Sequence, residues 1–137
     1  MSLSPVLGTK TTLTVTGLST LASGAKALSN ELSAVQATLD GVGVSFDIDL
    51  TIGTPQDNFV NAMMIGSNTT ASYGSTDDIR NPTFVGKVDM NETTPKITLQ
   101  IPFDQIPPFF KLLFINDCSA ALTGATVDFI SKSIQNA

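Results

Sequence analysis

Residues 42–52 read VGVSFDIDLTI, and every second residue of this stretch is apolar. The apolar positions are Val42, Val44, Phe46, Ile48, Leu50 and Ile52, and they alternate with Gly43, Ser45, Asp47, Asp49 and Thr51. A period of two places the two sets on opposite faces of a β-strand. Such a strand is stable only when its apolar face packs against a second layer, which the rest of the chain must supply. The stretch therefore predicts a strand with one core face and one solvated face.

Other short stretches with strand-like patterns lie on both sides of this one. We expect strands at residues 10–16, 58–65, 84–90, 97–103, 109–115 and 126–134. In the stretch 84–90, alternation assigns Phe84, Gly86, Val88 and Met90 to one face. Turn residues such as Gly53-Thr54-Pro55 separate the strands. About seven or eight short strands at this spacing predict an all-β, antiparallel, jelly-roll-like β-sandwich.

Residues 18–39 give a conflicting signal. Their apolar residues recur at steps of three and four, which is the spacing of a helical stripe. These residues are Leu18, Leu21, Ala25, Leu28, Leu32, Val35 and Leu39. Gly24 and the many Ser, Thr and Asn residues oppose a long helix because they favour turns and caps. We expect one short helix or helical turn in the first half of this segment, and leave open whether the segment as a whole is helix or strand.

The composition suits one domain that binds other protein. The chain has 137 residues, which is enough to bury a core without a metal or disulfides. Only 14% of the residues are charged, and the net charge is -5. A chain with no basic run lacks the footprint of a nucleic-acid or anionic-membrane binder. No apolar run is long enough to span a bilayer, and the start of the chain does not resemble a signal peptide, so we expect the chain to be made in a cytoplasm.

Two acidic pairs are the candidates for metal or acid–base chemistry. Asp47 and Asp49 lie two apart on the polar face of one predicted strand, and Asp77-Asp78 lies in a polar loop. A calcium site or an acid–base pair would use such carboxylates. An outward alternation on a wet sheet face explains the first pair more simply, and turn formation explains the second. We expect no metal site.

Other reactive groups lack the partners that catalysis needs. The single cysteine, Cys118, has no histidine to activate its thiol, because the chain contains no histidine. Its predicted place is a partly buried turn. Tyr73 and the phenylalanines could form a sugar-stacking platform, but the chain has one Tyr and no Trp. We expect no enzyme activity, no catalytic residues and no cofactor.

Three short stretches carry a family resemblance. They are residues 20–25 (TLASGA) with Ser29-Asn30, the paired strands 46–50 and 63–67, and residues 106–111 (IPPFFK) running to Asn116-Asp117 and residues 120–122. Within the last of them, residues 107–111 begin with two prolines and are expected to be a bulged entry into a core strand that buries Phe110, Leu112 and Phe114, or their alternates. With these features the chain resembles small virion accessory proteins of tailed bacteriophages.

The resemblance implies a non-enzymatic structural protein, in particular a decoration or cement protein that binds and stabilises the assembled capsid. Its partners would be the major capsid protein or other virion proteins, its location the virion, and its assembly a homo-oligomer, most simply a trimer. A neck, tail or fibre component and a carbohydrate-binding β-sandwich are the alternatives. Head, neck or tail position, the docking face and the stoichiometry stay open.

The start of the chain is the predicted interaction element. Residues 1–8 contain Pro5 and Gly8 without periodicity, so we expect an N-terminal arm ahead of a single domain at residues 9–137. An arm of this kind can lie across neighbouring subunits and add main-chain hydrogen bonds. The interaction residues we predict in the arm are Ser2, Leu3, Pro5, Val6 and Leu7.

Overall fold

The protein is described by a computed structural model that covers residues 3–7, 10–33, 43–67, 82–102 and 105–136. Its strands are β1 (Leu3–Leu7), β2 (Thr11–Thr12), β3 (Lys26–Leu28), β4 (Leu32–Ser33), β5 (Gly43–Ile52), β6 (Phe59–Ser67), β7 (Thr83–Asp89), β8 (Lys96–Pro102), β9 (Phe109–Asn116) and β10 (Leu122–Asn136). A 3-10 turn spans Leu18–Thr20. In these parts of the chain no helix has the length and apolar character needed to span a membrane.

The strands form two antiparallel sheets. The first sheet has the order β1-β10-β5-β8, and β2 also pairs with β10. The second sheet has the order β3-β9-β6-β7, and β4 also pairs with β9. Lys132 of β10 pairs with Leu7 of β1 and with Gly43 of β5, so β1 lies on the side of β10 away from β5. The short strands β2 and β4 thus continue the positions of β1 and β3.

Eight strand positions remain when β1 with β2, and β3 with β4, are each counted as one interrupted strand. The first position then pairs with the eighth, the second with the seventh, the third with the sixth and the fourth with the fifth. The eighth also pairs with the third, and the seventh with the fourth. This folded-back winding in two packed sheets is that of a jelly roll. The predicted all-β, antiparallel, jelly-roll-like sandwich is confirmed.

Phenylalanines from both sheets lock the two layers together. Phe46 of β5 meets Phe110 of β9 edge to face with ring centroids 6.5 Å apart, and it meets Phe129 of β10 at 6.3 Å. Apolar residues of β5 point inward at alternate positions, as the sequence predicts: Val44, Phe46, Ile48, Leu50 and Ile52 are all buried. Val42 lies outside the described residues. Phe110, Leu112 and Phe114 of β9 are fully buried, so that prediction is also confirmed.

The helical stripe of residues 18–39 is not a helix in the described part of the segment. Only Leu18–Thr20 turns helically, and β3 and β4 follow as short strands that pair with β9. Gly24 adopts a φ of 76°, which interrupts any helix at that point. The buried hydroxyl of Ser29 then accepts a hydrogen bond from the Leu112 amide at 2.9 Å. Residues 34–39 lie outside the described residues.

The expected strand at residues 10–16 is shorter than its alternation suggests. Thr11 and Thr12 pair with β10, the Leu13 amide donates to the Val127 carbonyl of β10 at 2.8 Å, and Val15 forms an isolated bridge with Ser29. That bridge joins the two sheets along one edge of the sandwich. Leu13, between these contacts, is buried in the core as its apolar character predicts.

Candidate functional site

An irregularity in strand pairing exposes Phe84. Ala62 of β6 pairs with Gly86 of β7, but the next residue, Met63, pairs with Phe84, so Val85 is an extra residue in the ladder. Such a bulge changes which face of the sheet the following side chains occupy. Strict alternation would have placed Phe84 on the inner face, whereas its side chain is 55% exposed. The prediction that Phe84 lies on the same face as Val88 and Met90 is therefore wrong, because Val88 and Met90 are buried and Phe84 is not.

A cleft of about 380 Å³ opens beside Phe84. It lies where β7, at the edge of the second sheet, meets β8, at the edge of the first. We call it the Phe84 cleft, and its lining residues are Met64, Thr83, Phe84, Val85, Gln100, Ile101 and Gln105. Met64 and Ile101 are buried and give it an apolar floor, while two glutamines and a threonine supply hydrogen-bonding groups.

The residues that line the Phe84 cleft suit the binding of a ligand. Every residue that lines it is uncharged, and none is a nucleophile with a neighbouring base. An apolar floor, an exposed aromatic ring and a few polar groups are the usual features of a recognition site. The cleft therefore suits an uncharged ligand group that is partly apolar and partly hydrogen-bonding.

A second concavity, the charged groove, lies on the first sheet and has a volume of about 300 Å³. Its lining residues are Lys10, Asp47, Asp49, Lys96, Ile97 and Thr98. Asp47 of β5 lies directly opposite Asp128 of β10, a pairing of like charges that would destabilise the sheet by itself. Lys10 Nζ relieves it, at 3.4 Å from Asp47 Oδ2 and 3.7 Å from Asp128 Oδ2.

Hydroxyl groups complete the coordination of these carboxylates. Thr98 donates to Asp47 at 2.8 Å, and Thr12 donates to Asp128 at 3.0 Å. The Thr98 hydrogen bond lowers the pKa of Asp47, partial burial opposes it, and Lys10 lowers the pKa further. The carboxylates of Asp47 and Asp128 are thus engaged by their own sheet, and Asp49 is exposed. Among the described residues no group of three or more acidic or cysteine side chains could hold a metal ion.

Asn116 is a buried polar residue that holds two loops together. Its side-chain amide donates to the carbonyl groups of Leu21 and Ala120, each at 3.0 Å, and accepts from the Cys118 amide at 2.9 Å. Cys118 is buried more fully than the sequence suggested, and burial, aided by the charge of Asp117, raises the pKa of its thiol. Both residues are structural.

The predicted interaction residues Leu3, Pro5, Val6 and Leu7 form strand β1. This strand lies at the edge of the first sheet opposite to β8, so the predicted arm and the Phe84 cleft are on opposite edges. Ser2, Tyr73, Asp77 and Asp78 lie outside the described residues.

Sequence reasoning missed Phe84, Gln100 and Gln105 as candidate site residues. The signal of Phe84 was hidden because its spacing to Gly86 and Val88 matches an inward-facing strand. Nothing in that spacing marks Val85 as the extra residue of a bulge. Gln100 follows the ordinary outward alternation of β8 and gives no sign of a nearby cleft.

Comparison with known proteins adds no family. No family model matches the chain, and no curated protein matches it. One solved structure that it resembles comes from work on the promiscuous specificity of carbohydrate-binding modules from the β-sandwich superfamily. The two are 14% identical with a TM-score of 0.40, and the match covers 98% of this chain. The chain spans 57% of the length of that structure.

Proposed function

We propose that the chain is a non-enzymatic binding protein that attaches to a protein surface through the Phe84 cleft. The exposure of Phe84 is the observation that carries this proposal. Burying a phenylalanine stabilises a protein by roughly 1.5–3 kcal/mol relative to leaving it in water. Because the bulge at Val85 leaves the Phe84 ring exposed to water, the isolated chain lacks much of that stabilisation. A partner that covers the ring would recover it, as aromatic anchors do in interface hot spots.

The position of the cleft favours a protein partner. Phe84 lies on β7, which pairs with β6 on one side and, among the described strands, is the edge strand of the second sheet on the other. An edge strand offers main-chain donors and acceptors to an extended segment of another chain. An apolar side chain of that segment would enter the Phe84 cleft, and the amides of Gln100 and Gln105 would bond its backbone.

A virion is the assembly that we propose for this attachment, with the capsid surface as the docking partner. The support is the resemblance to bacteriophage accessory proteins together with the jelly-roll winding, an architecture used by viral capsid proteins among others. Copies of the chain that form an oligomer, most simply a trimer, would dock several clefts at once and turn weak contacts into firm attachment. A cement role follows if the chain binds only the assembled shell and so stabilises it.

Co-sedimentation with assembled capsids that lack the chain tests this proposal. We expect the wild-type chain to sediment with the shells, and Phe84→Ala to weaken binding at least about tenfold, as for a hot-spot truncation. Asp89→Ala is the matched control, because Asp89 is exposed at the other end of the same strand. Binding that Phe84→Ala leaves unchanged would show that the cleft is not the docking site, and a wild-type chain that ignores capsids would reject the virion role.

Carbohydrate binding is the second candidate, and the lining of the cleft favours it specifically. The Phe84 ring is available for stacking on a sugar, and Thr83, Gln100 and Gln105 supply the hydrogen-bonding groups that sugar hydroxyls need. A glycan array separates the two candidates. A sugar that binds wild type, binds more tightly to Phe84→Trp and is lost with Phe84→Ala would replace the protein-docking proposal.

A further inference from the structure

We propose that strand β1 exchanges between copies of the chain, so that residues 3–7 of one copy pair with β10 of a second copy. This inference is independent of the Phe84 cleft, because it concerns the opposite edge of the first sheet. It identifies the partner of the predicted arm as another molecule of the same chain.

The pairing of β1 is confined to the last part of β10. Residues 3–7 pair in sequence with Asn136 down to Lys132, whereas β5 pairs with β10 only as far as Lys132. In the described part of the chain, residues 133–136 of β10 therefore pair with β1 alone. A two-stranded ribbon of this kind is marginally stable in water.

The composition of β1 weakens the ribbon further. Pro5 lies opposite Ile134 and has no N–H group, so this five-residue strand has at most four backbone donors. Segments held by few contacts open locally at a free energy well below that of global unfolding. We infer that β1 detaches from β10 while the sandwich stays folded.

The chain is anchored again immediately after β1. Lys10 bridges Asp47 of β5 and Asp128 of β10, and the next two residues pair with Phe129 and Asp128. Detachment of β1 therefore stops at Lys10.

A second copy fits the vacated position because it carries the identical strand. Exchange replaces each β1–β10 pairing by the same pairing between molecules, so little free energy separates the two forms and the concentration decides between them. Two copies that exchange their β1 strands with each other form a closed dimer. Three copies that each pass β1 to the next form a closed ring. In either case the copies are held together by the same β1–β10 backbone pairing that the single chain makes.

Disulfide cross-linking between two single-cysteine variants tests the exchange. Val6 pairs directly with Ser133, and directly paired residues lie within the Cα separation that a disulfide spans. In a Cys118→Ala background, a tagged Val6→Cys chain is mixed with an untagged Ser133→Cys chain, incubated and oxidised. A disulfide between the two variants requires β1 of one molecule to lie on β10 of the other.

Ser45→Cys mixed with Gln100→Cys is the matched control, since these residues pair directly between β5 and β8, on the side of the first sheet away from β1. We expect the Val6/Ser133 mixture to give several-fold more mixed disulfide than the control, rising with protein concentration. The double variant Val6→Cys/Ser133→Cys in one chain reports pairing within the molecule. Mixed disulfide at or below the control level overturns the proposal. If the double variant then forms an internal disulfide, β1 pairs with β10 of its own molecule and does not exchange. If the double variant forms no disulfide, β1 and β10 do not pair at all.

Discussion

At the scale of single residues, Asn116 contributes more to the stability of the fold than its polar character suggests. It is fully buried, and its side chain satisfies the carbonyl groups of Leu21 and Ala120 and the amide of Cys118. A buried backbone group that loses its partner costs free energy comparable to its desolvation. One amide side chain thus fixes the loop before β10 against the loop before β3.

Asn116→Ala should lower the free energy of unfolding by about 2 kcal/mol, because the Ala120 carbonyl and the Cys118 amide lose this partner, while the Leu21 carbonyl keeps its hydrogen bond from the Leu122 amide. Urea unfolding followed by circular dichroism measures this loss from the midpoint and slope. Asn58→Ala is the control, since Asn58 is exposed and its replacement should change the free energy by less than about 0.5 kcal/mol. Equal effects of the two substitutions would mean that water replaces the buried amide without cost.

Asp47 offers a residue-scale test of the charged groove. The pKa of its carboxyl group in the folded chain lies below the ordinary value, chiefly because Thr98 donates a hydrogen bond to it. The ionised form therefore favours folding. This stabilisation is complete above the pKa of the unfolded chain and is lost as the pH falls through the lower pKa of the folded chain. Its size is small because the Asp47 side chain is 37% exposed.

Thr98→Val should raise the pKa of Asp47 toward its ordinary value and reduce the loss of stability on acidification that this group causes. A carbon-13 NMR titration of the side-chain carboxyl groups measures the pKa directly. Thr126→Val, on the neighbouring strand and opposite Asp49, should leave the pKa of Asp47 in place. A pKa that does not move in Thr98→Val would assign the shift to Lys10 instead.

At the scale of elements, the joint between β7 and β8 is unusually close. A Cβ atom at Gly86 would lie 2.3 Å from Cδ2 of Leu99, so the Leu99 side chain packs directly on the β7 backbone. This contact joins the edges of the two sheets beside the Phe84 cleft. Packing thus favours glycine at residue 86, and its backbone φ needs no special freedom.

Gly86→Ala should destabilise the chain by about 1 kcal/mol, because the end of the Leu99 side chain must move away. In a Leu99→Ala background the same substitution should become neutral or stabilising, since alanine reduces the freedom of the unfolded chain. The two results form a double-mutant cycle with a large coupling free energy. Gly53→Ala, where a Cβ would meet nothing within 4 Å, is the control for the intrinsic effect of alanine.

Alternation predicted most elements but not their irregularities. Residues 42–52 alternate without a break, so β5 and its two faces were predictable. The bulge at Val85 was not, because it depends on how β7 meets β6, a contact between segments of the chain. The short helical turn expected in the first half of residues 18–39 is present at Leu18–Thr20, but the helical spacing does not continue as a helix through residues 21–33. There the backbone groups of β9 pair with β3 and β4, and this pairing outweighs a local preference.

At the scale of the whole molecule, the sequence predicted a sandwich but not which strands would pair. The first strand position pairs with the eighth across nearly the full length of the chain. Such contacts leave no local pattern, and only the burial of two opposed faces favours the jelly-roll winding. The same winding brings residues 3–7 and 132–136 together as one ribbon. The predicted arm and the end of β10 therefore form a single paired unit, so the effect of deleting either segment on stability can be predicted.

Deletion of residues 1–8 and deletion of residues 133–137 should each lower the thermal midpoint by about 5 °C or less, because each removes one half of a marginal ribbon. The double deletion should lower the midpoint no further than the larger single deletion, because either deletion alone already removes all the stabilisation that the pairing of the two segments provides. Calorimetry of the four chains measures the midpoints. Additive losses would show that the two segments stabilise the sandwich separately, and loss of cooperative unfolding in the chain without residues 1–8 would show that β1 belongs to the core.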